Sequence, residues 1–166
     1  MKFKILLLLF LFLGTACSKT SSFDVKNPEL AFKANDGLIV GTVEDKSGYQ
    51  PEGSAPQIDL PKVLEEALKK AVAKQGIEGS EYTIETKIIN YEPGNAFTRW
   101  LLPCAGATKL ATISSVLDKE GTVVATVPVE RSIGFGGAFT IGAWKSVLTE
   151  VADEIVSVIK KHMNDR

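Results

Sequence analysis

Residues 108–129 read TKLATISSVLDKEGTVVATVPV. Thr108–Leu117 is rich in β-branched and aliphatic residues, and Thr122–Val129 repeats that character. Between them stands Asp118-Lys119-Glu120-Gly121, with glycine where a hairpin needs a left-handed backbone. The stretch therefore predicts two antiparallel strands joined by a tight turn. Upstream, Tyr82–Tyr91 alternates: Tyr82, Ile84, Thr86 and Ile88 fall on one side, Glu85 and Lys87 on the other. It predicts a third strand, ended by Pro93-Gly94.

Further out, helical spacing takes over. Val63, Ala67, Leu68, Ala71 and Val72 recur on one face, after Pro61 and before Gly76, the usual start and stop residues. Glu65 and Glu66 precede Lys69 and Lys70 by four, the favoured ion-pair order. Leu38–Glu44 reads as a short strand before this helix, separated from it by a Gly- and Pro-containing loop over Asp45–Ile58. At the other end Trp144, Val147, Leu148, Val151, Ile155, Val158 and Ile159 keep the helical period over four turns. The order is β-α-β-β-β-α. A helix between the first two strands makes them parallel, and the last three form a meander. The expected fold class is α/β in the broad sense, an α+β two-layer sandwich: a mixed sheet with two helices on one face.

The amino terminus has a different character. Met1-Lys2-Phe3-Lys4 is basic, Ile5–Leu13 is an unbroken apolar run, and Gly14-Thr15-Ala16 is small. This is the pattern of a secretory signal, and the run is too short to span a bilayer, which takes about 20 residues. Leu13-Gly14-Thr15-Ala16-Cys17 resembles a lipobox, the processing and acylation signal of bacterial lipoproteins. That resemblance implies removal of residues 1–16 and a diacylglycerol thioether with a palmitate-type acyl amide on Cys17. It also implies a membrane partner through that anchor. Ser18, not Asp, follows the cysteine; by the same resemblance the protein is expected at the outer membrane, facing the periplasm. Residues 17–35 then read as the lipidated cysteine and a tether with the polar opening Lys19-Thr20-Ser21-Ser22, and residues 36–163 as a single domain.

Composition limits what such a domain does. The 166 residues are 45% hydrophobic, with formal net charge −1 that falls by two when Lys2 and Lys4 leave with the leader. Lysines and arginines are spread along the chain, so no nucleic-acid stripe is expected. His162 is the single histidine, and no Cys-x-x-Cys or phosphate loop occurs. No catalytic residue, metal or cofactor is therefore expected. With the Cys17 sulfur acylated, Cys104 is left as a lone thiol that reads as a small buried hydrophobe.

Two connections are unusually apolar and glycine-rich. Residues 94–107 read GNAFTRWLLPCAGA and residues 131–142 read RSIGFGGAFTIG. The meander brings both to the same end of the sheet. Packing on one another to cap the core is one reading. A contact surface for a partner, a second subunit or lipid is another, and Arg99, Trp100, Leu101, Phe135 and Phe139 are its candidate residues. Tyr91, Gly94-Asn95, Arg99-Trp100 and Gly106, then the Asp118–Gly121 turn, then a second glycine-rich stretch before a long final helix resemble an uncharacterised domain-of-unknown-function family of Gram-negative lipoproteins, over residues 36–162. The resemblance implies an envelope location and kinship with accessory lipoproteins of transport and secretion machines. The expected function is a non-enzymatic binding or assembly module whose partner is an envelope protein or itself. A self-assembling ring or pore subunit is the alternative, and a small-ligand carrier or enzyme a distant third.

Overall fold

A computed structural model of the chain describes residues 19–22, 24–26, 36–51, 58–101, 106–134 and 142–164; the side chains of Lys19, Ala96, Arg99, Trp100 and Asn164 are outside that description. The elements are β1 (Lys19–Ser21), β2 (Asp24–Val25), β3 (Leu38–Asp45), α1 (Leu60–Gln75), β4 (Tyr82–Glu92), α2 (Ala96–Leu101), β5 (Thr108–Leu117), β6 (Val123–Ile133) and α3 (Ala143–Asn164). The six strands form one mixed sheet in the order β1-β6-β5-β4-β3, with β2 also on β6. β3 runs parallel to β4 across the α1 crossover, and β4, β5 and β6 are antiparallel neighbours. The α+β expectation holds.

The sheet has one dry face. Ile84, Thr86, Ile88 and Tyr91 of β4 lie opposite Val116, Ser114, Thr112 and Leu110 of β5, and all are buried. Ser114, Thr112 and Leu110 in turn lie opposite Val127, Val129 and Arg131 of β6, also buried. Within β4 the period of two breaks where the β4–β5 register shifts between Ile88 and Asn90. The extra residue restores Tyr91 to the dry face and leaves Ile89 exposed. α1 and α3 cover this face side by side. Asp59 caps α1 by accepting from the Lys62 amide, and Gly76 ends it at φ 64°. The most deeply buried stripe of α1 is Leu60, Leu64, Leu68, Ala71 and Val72. Val63 and Ala67, expected in that stripe, are half-buried because they turn toward α3 and line the groove between the helices. Lys74–Asp153 bridges the two helices at 3.2 Å, and Lys160 Nζ donates to the last-turn carbonyl of Gln75 at 2.7 Å.

Part of segment 17–35, read from composition as a tether, is instead built into the sheet. Lys19, Thr20 and Ser21 lie opposite Arg131, Glu130 and Val129, and Asp24 and Val25 opposite Thr126 and Ala125. The segment is polar, yet it occupies an edge, where one side of the strand stays wet and hydroxyl side chains cost little. Its hydrogen-bonded neighbour, β6, would otherwise present a bare edge. Ser21 Oγ donates to Glu154 of α3, whose other carboxylate oxygen accepts from Arg131 Nη2 at 2.7 Å. The amino-terminal strand, the sheet and the last helix thus meet at one largely buried ion pair.

Buried hydroxyls interrupt the aliphatic core. Thr86 Oγ1 and Ser114 Oγ lie 2.8 Å apart, both buried. Either one alone would be a stranded polar group. Thr86→Val or Ser114→Ala by itself is expected to cost about 1–3 kcal/mol, and the double substitution less than the two together; urea unfolding of the four proteins measures this. Tyr91 is the converse case. Its hydroxyl is buried without a hydrogen-bond partner among the described residues. Burial, and then the facing Tyr49, push its pKa from the ordinary 10.0 up to about 12. The unfolded chain gives up this proton first, so Tyr91 lowers stability as pH rises from about 10 to about 12. Tyr91→Phe is expected to be neutral or stabilising at pH 7 and to gain on the wild type through that alkaline window, read from chemical denaturation at each pH.

Candidate functional site

The site is the end of the sheet where β4 leaves and β5 and β6 are anchored. At Glu92 the ladder stops, because Pro93 has no amide to donate. Gly94 follows at φ 68°. A Cβ there would lie 2.5 Å from Gly106 O, and one on Gly106, itself at φ 66°, would lie 2.8 Å from Asn95 O. The two glycines bring the backbones into contact and close a neck. Asn95 N donates to Gly106 O at 2.9 Å, and Thr108 Oγ1 donates to Pro93 O at 2.7 Å.

From this neck springs α2, a single helical turn and a half. Asn95 caps it: its Oδ1 accepts from the amides of Phe97 and Thr98 at 2.9 and 3.1 Å. Residues four apart share a helix face, and here Phe97 and Leu101 do so while remaining 67% and 54% exposed. Those are large apolar side chains facing solvent on a capped, positioned element. Sequence reading anticipated a glycine-rich loop here and missed the helix; Asn95 two and three residues before its amide partners was the available sign.

Of the expected contact residues, Leu101 is exposed on α2, and Arg99 and Trp100 belong to α2 by backbone. Phe135, Phe139, Cys17 and Cys104 lie outside the described residues. The register gives the relation between the two apolar connections. Thr108 pairs with Ile133, so the chain enters β5 from one connection and leaves β6 into the other at the same end. Lys19 pairs with Arg131, so β1 begins at that end as well. The opposite end carries the Asp118–Gly121 hairpin, in which Asp118 Oδ1 accepts from the amides of Glu120 and Thr122 at 3.0 and 2.7 Å. Nearby, Glu81 accepts from the Gly37 and Ser80 amides, which hold its carboxyl below the usual range.

Two charge pairs at the apolar end serve structure. Glu92 and Lys109 form an exposed bridge at 3.1 Å, and the Lys109 and Asn90 hydrogen bonds lower the Glu92 pKa. Arg131 and Glu154 are bound to one another. His162 is at the far end of α3, with Nδ1 2.8 Å from Val158 O. Among the described residues no three His, Cys, Asp or Glu groups converge as for a metal ion, and no helix is long and apolar enough to cross a membrane. The face of the sheet away from the helices also shows apolar surface: Ile39, Ile89 and Ile113 are exposed, and Ile89, Ala111, Ile113 and Pro128 line a shallow groove of about 230 Å³.

No curated protein matches the chain by sequence. Solved structures match its fold. A PelC dodecamer from Paraburkholderia phytofirmans is 14% identical over 86% of this chain and 98% of that one, with a TM-score of 0.57. A Xanthomonas campestris protein of the DUF330 family is 17% identical over 86% of this chain and 94% of that one, with a TM-score of 0.51. At such identities the likeness is one of fold. By sequence, residues 57–137, from the loop before α1 to the glycine-rich connection after β6, match the family model of DUF4410, a domain of unknown function.

Proposed function

We propose that the protein is a non-enzymatic module of the bacterial cell envelope, anchored by acyl groups on Cys17 at the periplasmic face of the outer membrane. It works by binding or assembly, as an accessory to a transport or secretion system. The observation that carries this reading is the leader and lipobox pattern ending at Cys17, with the folded sheet beginning two residues later at Lys19. A soluble domain held at a surface reaches a high effective concentration there, so a modest interface suffices. The apolar end, with Arg99, Trp100, Leu101, Phe135 and Phe139, is its proposed contact surface. Glu92 with Lys109 and Arg131 with Glu154 are spent on structural pairs there, which supports contact over catalysis.

A second reading, assembly into a closed ring of like subunits, is favoured by the open sheet face. Ile39, Ile89 and Ile113 offer a neighbouring copy a surface that helices do not cover, and the PelC structure of similar fold is a dodecamer. Contacts between unlike patches of identical subunits close into rings when the rotation permits.

The anchor is tested by mass spectrometry of protein purified from membranes. A mature chain starting at Cys17, with diacylglycerol and acyl mass added, is expected; an intact leader or an unmodified Cys17 would overturn the reading. Cross-linking the detergent-purified mature protein separates the two modes of action. A discrete homo-oligomer selects the ring, and a monomer selects the adaptor. If the ring forms, Ile113→Asp is expected to dissolve it without lowering the melting temperature, because Ile113 is exposed in the single chain.

A further inference from the structure

Three features fix how the domain sits on its membrane. The first is the length of free chain. Lys19 is already paired with Arg131 of β6, so only Cys17 and Ser18 separate the modified sulfur from the sheet. Two residues span at most about 7 Å. The polar layer on each side of a bilayer is about 5–8 Å thick. The connection is therefore just long enough to cross the headgroups, and too short to lift the domain clear of them.

The second feature is direction. β1 is antiparallel to β6, and its start lies level with Arg131, two residues from Ile133 where β6 meets Thr108 of β5. Chain preceding Lys19 leaves from the same end of the sheet as the neck that carries α2. The third is what that end displays. Phe97 and Leu101 face outward from a helix held in place by its Asn95 cap and by the Gly94–Gly106 contact. The charges beside them, Glu92 and Lys109, are neutralised as a pair. At the opposite end Asp118, Lys119 and Glu120 form a charged hairpin.

From these we infer that the lipid surface is the occupant of the apolar end. The sheet stands on the bilayer that holds the Cys17 acyl chains, Phe97 and Leu101 enter its headgroup region, and the Asp118–Gly121 hairpin points into the periplasm. The apolar side chains add to the acyl anchor, but their larger effect is orientation. A protein held by lipid alone through a long tether would tumble, whereas one held at two places on one end presents fixed sides to its neighbours. This inference rests on the anchoring reading above, names lipid as what the proposed contact surface touches, and leaves the uncovered sheet face for proteins.

The test uses the full chain expressed with its own leader and purified from membranes after Cys17 acylation is verified by mass. In a Cys104→Ala background, an environment-sensitive fluorophore is attached at Phe97→Cys or at Lys119→Cys. Cys104→Ser replaces Cys104→Ala if circular dichroism shows loss of the native signal. Each protein is reconstituted into phosphatidylethanolamine–phosphatidylglycerol vesicles containing brominated acyl chains. Several-fold stronger quenching at position 97 than at 119 is expected, with a blue-shifted emission at 97 only. Equal quenching at the two positions, or stronger quenching at 119, would overturn the orientation while leaving the lipoprotein reading intact. An unmodified Cys17 removes the anchor itself and is recognised before any fluorescence is read.

Discussion

The pairing of β5 with β6, unbroken from Thr108 and Ile133 to Val116 and Ala125, governs everything else in the domain. It sets which side chains of three strands face the helices, because a slip of one residue would turn Leu110, Thr112, Ser114 and Val116 to water. It also decides which connections meet. With Thr108 opposite Ile133, two apolar segments distant in sequence are brought to one end. β1 then joins the free edge of β6 in the same frame, and its start at Lys19 is drawn to that end as well.

Inside this frame the core mixes two chemistries. Leu64, Leu68, Ile84, Ile155 and Ile159 are buried completely, among a larger set of aliphatic side chains removed from water. A band of hydroxyls, Thr86, Thr112 and Ser114, crosses the middle of the same face. Thr86 and Ser114 satisfy one another, and Thr112 donates to Val129 O at 3.4 Å. Buried hydroxyls that must find partners favour one register over neighbours in which they would be stranded. The Arg131–Glu154 pair does the same for the way α3 lies on β6, at the cost of one guanidinium nitrogen, Nη1, buried without a partner among the described residues. Single-partner loss would leave a buried charge, so the arrangement resists sliding more than it adds stability.

Period and punctuation made most of this fold legible in the sequence. The alternation of Tyr82–Ile88, the Asp118–Gly121 turn and the long stripe from Val147 to Ile159 each specify their element locally, and the parallel β3–β4 pair follows from the helix between them. Three things were hidden. β1 and β2 have no apolar alternation, since an edge strand needs none; only the vacancy beside β6 reveals them. The Ile88–Asn90 shift depends on the partner strand and has no local signature. α2 is shorter than two turns, so spacing carries no periodic signal. At the candidate site the sequence supplied the residue types, Arg99, Trp100 and Leu101, but not the helix that carries them. Nor could it place the start of β1 beside them, because that relation comes from strand register.

The contact of Gly94 with Gly106 has a further consequence. A backbone hydrogen bond from Asn95 N to Gly106 O and a side-chain one from Thr108 Oγ1 to Pro93 O seal the base of the excursion before it departs. Closure entropy is settled at that base and grows only slowly with the residues inserted above it. Residues 95–105 therefore form a cassette whose length and composition can drift while the ladder beneath keeps its alignment. Substitution at either glycine, by contrast, transmits directly into the strands. Divergence among chains of this architecture should accordingly concentrate between the two glycines, and one scaffold can be refitted for different surfaces by exchanging a dozen residues or fewer.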